Sequence, residues 1–397
     1  MDYGQRRLLA IAFVVMYRHG GKIAQIISIR KSKAGGENEN RRCARGFSQM
    51  KPAYKKICLI LARIGILSVV TFMLGEVVLR VYDHFNPSFV FFNDSYNRFR
   101  GKPFADDWNF KLNSLGFKDK EFSEKKAKGY RIVALGDSFA FGVVPYQDNY
   151  LTLVESQLQK EHPEVDVLNM GIVGIGPKDY LSLFIREGLA FKPDLVLLSF
   201  FVGNDFSGAR KHSFSDYSYV ASLIHRVATV WHNYEGNIIH GKGEYCDDCP
   251  TMSADRFLKI EHSRSSIYVK GNGRFPRSLE NALFYLERVK NICKERGIDY
   301  VVAIIPDELQ VDPELQREIR KKFHPNVDDG QWETTLPNRI LARRLSESGI
   351  DNLDLYDEFA VVGARQRLYK LQDTHWNIAG NRLAAAAIAK HLQKYVK

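Results

Sequence analysis

The stretch Arg131–Gly142, RIVALGDSFAFG, decides how the rest of the chain is read. Arg131–Leu135 is a short β-like run that ends at Gly136, and helical spacing opens at Tyr150 with Leu151, Val154 and Leu158 on one face. A strand, a glycine turn and a helix in succession begin a βαβ unit, and the same alternation recurs downstream. Val165–Leu168 is a second short run, followed by a Gly-rich turn and a helical Tyr180–Leu189. Leu195–Val202 (LVLLSFFV) is continuously apolar, as a central parallel strand buried on both faces must be. From about 206 to 275 the period is lost among aromatic, His and Gly residues, which reads as an insertion or lid. The alternation then resumes with a helix near Ser278–Glu295, a strand Tyr300–Ile305, a helix near Leu336–Ser348 and a short strand Asn352–Tyr356. The last helix, Asn381–Tyr395, places Leu383, Ala387, Ile388 and Leu392 on one face. This order predicts an α/β fold, a parallel sheet covered by helices on both sides. Ligands bind such sheets at the carboxyl ends of the strands.

Four motifs fall at those ends. In Gly136-Asp-Ser-Phe-Ala-Phe-Gly142, Ser138 sits on the turn after the first strand, with its hydroxyl exposed and its N–H free to meet a substrate oxygen. Read alone, the same residues fit a serine N-cap beside a glycine turn. Asp373-Thr-His-Trp-Asn377 precedes the last helix. A serine hydroxyl is a weak nucleophile until a base takes its proton, and histidine, titrating near neutrality, suits that role. A carboxylate on the other ring nitrogen fixes the tautomer, and Asp373 is close enough in sequence to reach His375. Phe201-Val-Gly-Asn-Asp205 ends the third strand, where the Asn204 amide can donate to an oxyanion. Asn169–Gly174 (NMGIVG) ends the second, where a glycine N–H can approach the same oxygen.

Together, GDSFAFG, NMGIVG, FVGND and DTHWN resemble the four signature blocks of the SGNH (GDSL-like) hydrolases, over about residues 131–395. The resemblance implies a three-layer α/β/α fold around a five-stranded parallel sheet, flavodoxin-like in its winding. Matched residue by residue, it implies Ser138 as nucleophile, His375 as general base and Asp373 as its orienting partner. The oxyanion hole would be the N–H groups of Ser138 and Gly174 with the side chain of Asn204; Gly171 competes with Gly174 for that role. One departure is that many family members have two residues between Asp and His, whereas here Thr374 stands alone. Asn113–Lys118 (NSLGFK) before the first strand, an N-terminal anchor and Trp376 after the histidine resemble bacterial members associated with envelope polysaccharides.

The rest of the chain concerns location. The net charge is +11, but residues 1–56 carry thirteen Lys/Arg against Asp2, Glu37 and Glu39, which leaves about +1 for the remainder. A neutral body behind a basic tail gives no phosphate-binding face, so nucleic acid is not an expected partner. Residues 57–79, ICLILARIGILSVVTFMLGEVVL, hold only Arg63 and Glu76 as charges and are long enough to span a bilayer. With Lys51, Lys55 and Lys56 on the N-terminal side, a single-pass anchor with a cytoplasmic N-terminus and a periplasmic or extracellular body is expected. The basic tail 1–56 reads as disordered and cytoplasmic. Met50 ahead of KPAYKK would itself open a conventional export signal, so a natural start there is expected. Residues 80–130 read as a polar, aromatic-rich connector.

Cys246 and Cys249 (YCDDCP) are the one close pair among five cysteines. They are open to three readings: a small-loop disulfide, a zinc site with His232 and His240, or unpaired thiols. Trp231, Tyr234 and Tyr245 in the same insertion fit either a substrate groove or the insertion's own small core. The expected function is therefore serine esterase chemistry on acyl esters, O-acetyl above all, of an exported or cell-envelope glycan. Transfer to a sugar hydroxyl, an O-acyltransferase, uses the same chemistry, and neither needs a metal or organic cofactor. A lipid esterase or thioesterase, and a catalytically silent glycan-binding scaffold, are the alternatives.

Overall fold

The computed structural model describes residues 52–85, 96, 100–123, 129–206, 218–224 and 244–396. Residues 1–51 of the basic tail, Met50 among them, and Trp231, His232, Tyr234 and His240 lie outside them; residues 52–56, expected to belong to a disordered tail, are helical. The chain divides into two units, Met1–Gly75 and Glu76–Lys397. Helix α1, Pro52–Phe85, contains a stretch, Leu59–Tyr82, long and apolar enough to cross a membrane. Its Ile, Leu, Val and Met side chains from Ile57 to Val81 are exposed, except for the half-buried Leu79. Glu76, towards the end of that stretch, accepts the N–H groups of Tyr219 and Val220 (3.0 and 3.1 Å) and the Ser218 hydroxyl (3.0 Å). It thereby caps the helical turns at 219–224, which explains a carboxylate in so apolar a run.

The second unit is built on five parallel strands: β1 Arg131–Gly136, β2 Asp166–Gly171, β3 Leu195–Phe201, β4 Asp299–Ile305 and β5 Asp351–Asp354. Their order across the sheet is β2-β1-β3-β4-β5. Helices α2 Tyr150–Leu158 and α3 Pro177–Arg186 follow β1 and β2. After β3 come α4 Ala254–Ser265 and α5 Phe275–Arg296, then α6 Pro313–Phe323 and α7 Leu336–Glu347 after β4. α8 Tyr356–Gly363 and α9 Ile378–Leu392 close the chain. Side chains alternate across the strands and so fill two cores. Val133, Leu135, Met170, Leu198, Val302 and Ile304 meet Leu183 and Phe184 of α3 and Leu283, Leu286 and Val289 of α5. Ile132, Ala134, Val167, Leu197 and Ala303 meet Val154 of α2 and Ala385, Ile388 and Leu392 of α9. The expected three layers are present.

Three elements depart from the expected pattern. α4 lies inside the stretch that shows no period; its sequence is highly charged, and it buries only Phe257, Leu258, Glu261 and Ser265. α6 buries Leu315 and Ile319 alone, too few to print a periodicity. The buried face of α9 runs along Ala384, Ala385, Ile388, Ala389 and Leu392, with Leu383 and Ala387 half-buried at its edge.

Register brings the site together. Gly136 pairs with Gly171, so β1 and β2 end level; Leu135 pairs with Leu198 and Phe201 with Ile305, so β3 and β4 end level with each other and run slightly past β1. In this order the winding reverses beside β1, and the crevice there is where such folds place ligands.

Residues 100–123 pack into the body. Lys118 is fully buried, pairs with Asp107 and donates to the carbonyls of Gly142 (3.0 Å) and Val144 (2.5 Å). Burial pulls its ammonium below the usual lysine value, while Asp107 opposes the shift. Next to it, Asp119 accepts the Asn169 N–H (2.8 Å) and the Tyr146 hydroxyl (3.1 Å). Burial above all raises its pKa to about 7, against the help of the Asn169 N–H. The folded form therefore holds a proton that the unfolded chain releases first as pH rises from 3.8 towards 7, and stability falls over that window. Asp119→Asn should flatten the decline of Tm between about pH 4 and 7 relative to the parent; equal slopes would count against this account.

Candidate active site

Ser138 opens a one-turn helix, Ser138–Phe141, directly after β1. So short a helix leaves nearly all its backbone groups without internal partners. Asp137, wholly buried, accepts the Phe139 N–H through Oδ1 (2.9 Å) and the Asn204 amide through Oδ2 (2.9 Å). Burial raises its pKa, and those two donors work against the rise. At the other end, the Ala140 carbonyl accepts from Asn149 Nδ2 (3.0 Å) and Asn169 Nδ2 (2.7 Å), and the Phe141 carbonyl from Asn149 (3.1 Å). Gly142, at φ 82°, turns the chain into the Lys118 contact; a Cβ there would stand 2.2 Å from Asn149 Nδ2. Gly171 is required by close approach instead. A Cβ on it would lie 2.3 Å from the Phe141 nitrogen.

The hydroxyl of Ser138 lies 2.8 Å from His375 Nε2, and His375 Nδ1 lies 2.6 Å from Asp373 Oδ1. The same carboxylate oxygen accepts the backbone N–H of His375 at 3.1 Å. One intervening residue therefore suffices for the contact, and Asp373 is almost wholly buried. Phe139 packs against the imidazole (5.1 Å between centroids) and against Trp376 (4.9 Å, edge to face). The segment itself is pinned by the Lys370 N–H to the His375 carbonyl (3.0 Å) and the Asn377 N–H to the Leu368 carbonyl (3.0 Å). Asn377 then caps α9 by accepting the Gly380 N–H (2.9 Å), and Asn381 accepts the N–H that begins α2 (3.0 Å).

Asn204 reaches the serine turn through its bond to Asp137. A primary amide carries two N–H donors, so one remains for another acceptor. Asp205 holds this turn in place: it accepts the Phe201 N–H (3.0 Å) and the Tyr180 hydroxyl (3.0 Å). Burial, then the nearby Asp137, pushes its carboxyl well above the usual range. Behind the turn, Arg264 lies 3.6 Å from Glu261 and 3.9 Å from Asp307, both fully buried. Burial lifts both of those carboxyl pKa values. The Gly171 N–H is engaged by Asn169 Oδ1 (2.9 Å), whereas Gly174 stands in the exposed turn beyond, at φ 72°.

Cys246 and Cys249 form a disulfide, and the described residues contain no group of His, Cys, Asp or Glu placed to hold a metal. The small loop they close docks on the histidine segment. Leu371 N–H donates to the Asp247 carbonyl (3.2 Å), Thr251 N–H to the Leu371 carbonyl (3.1 Å) and Lys370 Nζ to the Cys246 carbonyl (2.9 Å). Arg367 pairs with Asp248, and Asp247 Oδ1 accepts the Ile378 N–H (3.3 Å) and the Tyr245 hydroxyl.

Hydrogen bonds thus join the sequence-predicted Ser138, His375 and Asp373, and tie Asn204 to Asp137, the residue before Ser138. Asn149, Asn169, Lys118 and Asp205 support them; Lys118, Asn169 and Asp205 stand inside stretches singled out in the sequence, but nothing local marks their supporting roles, and Asn149 lies in none of those stretches.

A family model described as "SGNH hydrolase-like domain, acetyltransferase AlgX" matches residues 270–397, a range that includes Asp373 and His375 and leaves out Ser138 and Asn204. Among curated proteins none matches the sequence. Similar solved structures include an acetyl xylan esterase, AlAXEase, at 18% identity and TM-score 0.36, covering 66% of this chain and 99% of that one. The lipase/acylhydrolase from Enterococcus faecalis stands at 14% and 0.37, covering 68% and 97%. A two-domain esterase, CEX, active on acetylated mannans stands at 16% and 0.35, covering 67% and 49%. Likenesses this distant carry no functional argument. Residues 270–397 are thus similar to an SGNH hydrolase-like domain of an acetyltransferase family.

The docking of the disulfide loop leads to a measurable outcome. In Cys246→Ser/Cys249→Ser, amide hydrogen exchange at Leu371 and Ile378 should rise by about tenfold or more while β1 stays protected. Unchanged exchange at both would mean that the loop does not stiffen the histidine segment.

Proposed function

We propose that the protein is a membrane-anchored serine esterase or O-acetyltransferase acting on acylated glycan outside the cytoplasm. What supports the chemistry is the hydrogen-bonded run from Ser138 Oγ to His375 Nε2 (2.8 Å) and from His375 Nδ1 to Asp373 (2.6 Å).

Ser138 Oγ attacks the acyl carbonyl carbon as His375 Nε2 takes the hydroxyl proton. Asp373 keeps the proton of the neutral ring on Nδ1 and stabilises the imidazolium that forms. The Ser138 and Gly174 N–H groups and the second N–H of Asn204 receive the developing oxyanion. Each such donor is worth on the order of 3 kcal/mol in the transition state. Collapse expels the alcohol, which takes the proton from His375, and leaves an acyl ester on Ser138. Water or a sugar hydroxyl then attacks that ester, His375 accepts its proton, and return of the proton to Oγ releases acid or acylated sugar.

The glycan assignment is supported by the family match to an acetyltransferase and by the setting. Leu59–Tyr82 would anchor the chain, and the lysines before it would hold the N-terminus in the cytoplasm.

The test is hydrolysis of p-nitrophenyl acetate and a long-chain p-nitrophenyl ester by the full chain in detergent. Ser138→Ala should lose about 10³-fold or more in kcat/KM, and Asn204→Ala on the order of 10²-fold. Equal rates for Ser138→Ala and parent would remove the catalytic assignment, and a preference for the long chain would move the substrate from glycan to lipid.

A further inference from the structure

A cavity of about 550 Å³ opens between a small hairpin, the residues before α2 and the disulfide loop. Trp108, Phe110 and Tyr245 line it with Asn109, Gln147 and Glu244. We propose that this cavity is a saccharide subsite for an uncharged chain of pyranose rings, an inference that rests on the glycan reading above.

Size and lining set the class of ligand. Small-ligand sites occupy roughly 300–1,000 Å³ and combine aromatic walls with a few placed polar groups. A pyranose offers C–H groups on its faces and hydroxyls around its rim. The C–H groups carry partial positive charge and suit the negative face of an aromatic ring. The amides of Asn109 and Gln147 donate and accept, and the Glu244 carboxylate accepts, which matches hydroxyls that do both. Charge narrows the choice further. The described lining residues include one carboxylate and no lysine or arginine, so a uronate chain would meet repulsion without compensation. Lys118 and Lys370 approach the Trp108 and Tyr245 rings at 4.7 and 4.2 Å, but both are tied elsewhere, to Asp107 and to the Cys246 carbonyl.

The hairpin is built to present its tryptophan. Asp106–Asp107 and Phe110–Lys111 pair antiparallel across a two-residue turn. Both turn residues, Trp108 and Asn109, have positive φ, 42° and 62°. Such a turn favours Asn or Gly, so a bulky side chain held there is strained. The Trp108 ring meets Tyr245 edge to face at 5.4 Å, and Phe110 stacks on Tyr146 at 3.9 Å, which fixes two walls. Each wall is tied to one arm of the site. The hairpin is held through Asp107 to Lys118, which grips the carbonyl of Gly142 after the serine turn. Tyr245 is held through Asp247 to Ile378, three residues beyond His375.

The experiment measures binding to the full chain in detergent, carrying Ser138→Ala so that nothing turns over. Tryptophan fluorescence and calorimetry are read with xylopentaose, mannopentaose, cellopentaose and pentagalacturonate. At least one uncharged pentasaccharide should bind, and pentagalacturonate should bind at least tenfold more weakly. Adding Phe110→Ala, or Gln147→Trp, which fills the cavity from an exposed position, should weaken that binding at least tenfold. Circular dichroism and Tm identify the variants that remain folded, and loss of binding in either folded variant supports the subsite. No binding of any uncharged probe, equal binding of pentagalacturonate, or binding undiminished in both variants would overturn it. If instead Ser138→Ala hydrolyses esters as fast as the parent, the esterase reading fails alone, and the binding result still stands for a glycan module.

Discussion

A single turn of helix, buried at the end of a strand, has more polar backbone than it can satisfy by itself. Ser138–Phe141 is such a turn, and much of the surrounding structure answers that need. The Asp137 carboxylate receives its Phe139 N–H together with the Asn204 amide. Asn149, Asn169 and Lys118 supply donors to its trailing carbonyls. In a dry site an unpartnered carbonyl or amide costs about 1–3 kcal/mol, so these contacts fix the turn as well as stabilise it. The serine hydroxyl is positioned as a by-product of satisfying its own backbone.

The supporting groups also join elements that are far apart in sequence. Asn149 caps α2 while holding the serine turn, and Asn381 in α9 accepts the first N–H of α2. The helix after the nucleophile and the helix after the histidine are thus knitted at their ends. Asp205 fastens the Asn204 turn to Tyr180 of α3, on the opposite face of the sheet. Positioning of the three loops is shared between both cores, and a cavity opened in either one would be felt at the site.

The sheet was legible because its strands are short apolar runs bounded by turn residues. The site was legible because its reactive residues stand in compact blocks at strand ends. Asp373 and His375 are two positions apart, so their contact is nearly written in the chain. The contact of Ser138 with His375 bridges most of the domain, and resemblance to a family carried it. Lys118, Asn149 and Tyr180 stayed hidden because an isolated Lys, Asn or Tyr in a polar stretch has no local mark of burial. α4 and α6 stayed hidden because they are charged and bury few apolar side chains, leaving the 3.6-residue period without apolar residues to display it. The bond between Cys246 and Cys249 was one of three readings, since spacing alone does not separate thiol, metal and disulfide chemistry.

That bond forms by oxidation, and the residues it clasps lie against the strip of chain that bears the imidazole. In a reducing compartment the sulfurs would remain apart, and the loop that meets the strip through hydrogen bonds and the Arg367–Asp248 pair would lose its cross-link. A polypeptide delivered through a membrane would then complete its most delicate loop only after arrival.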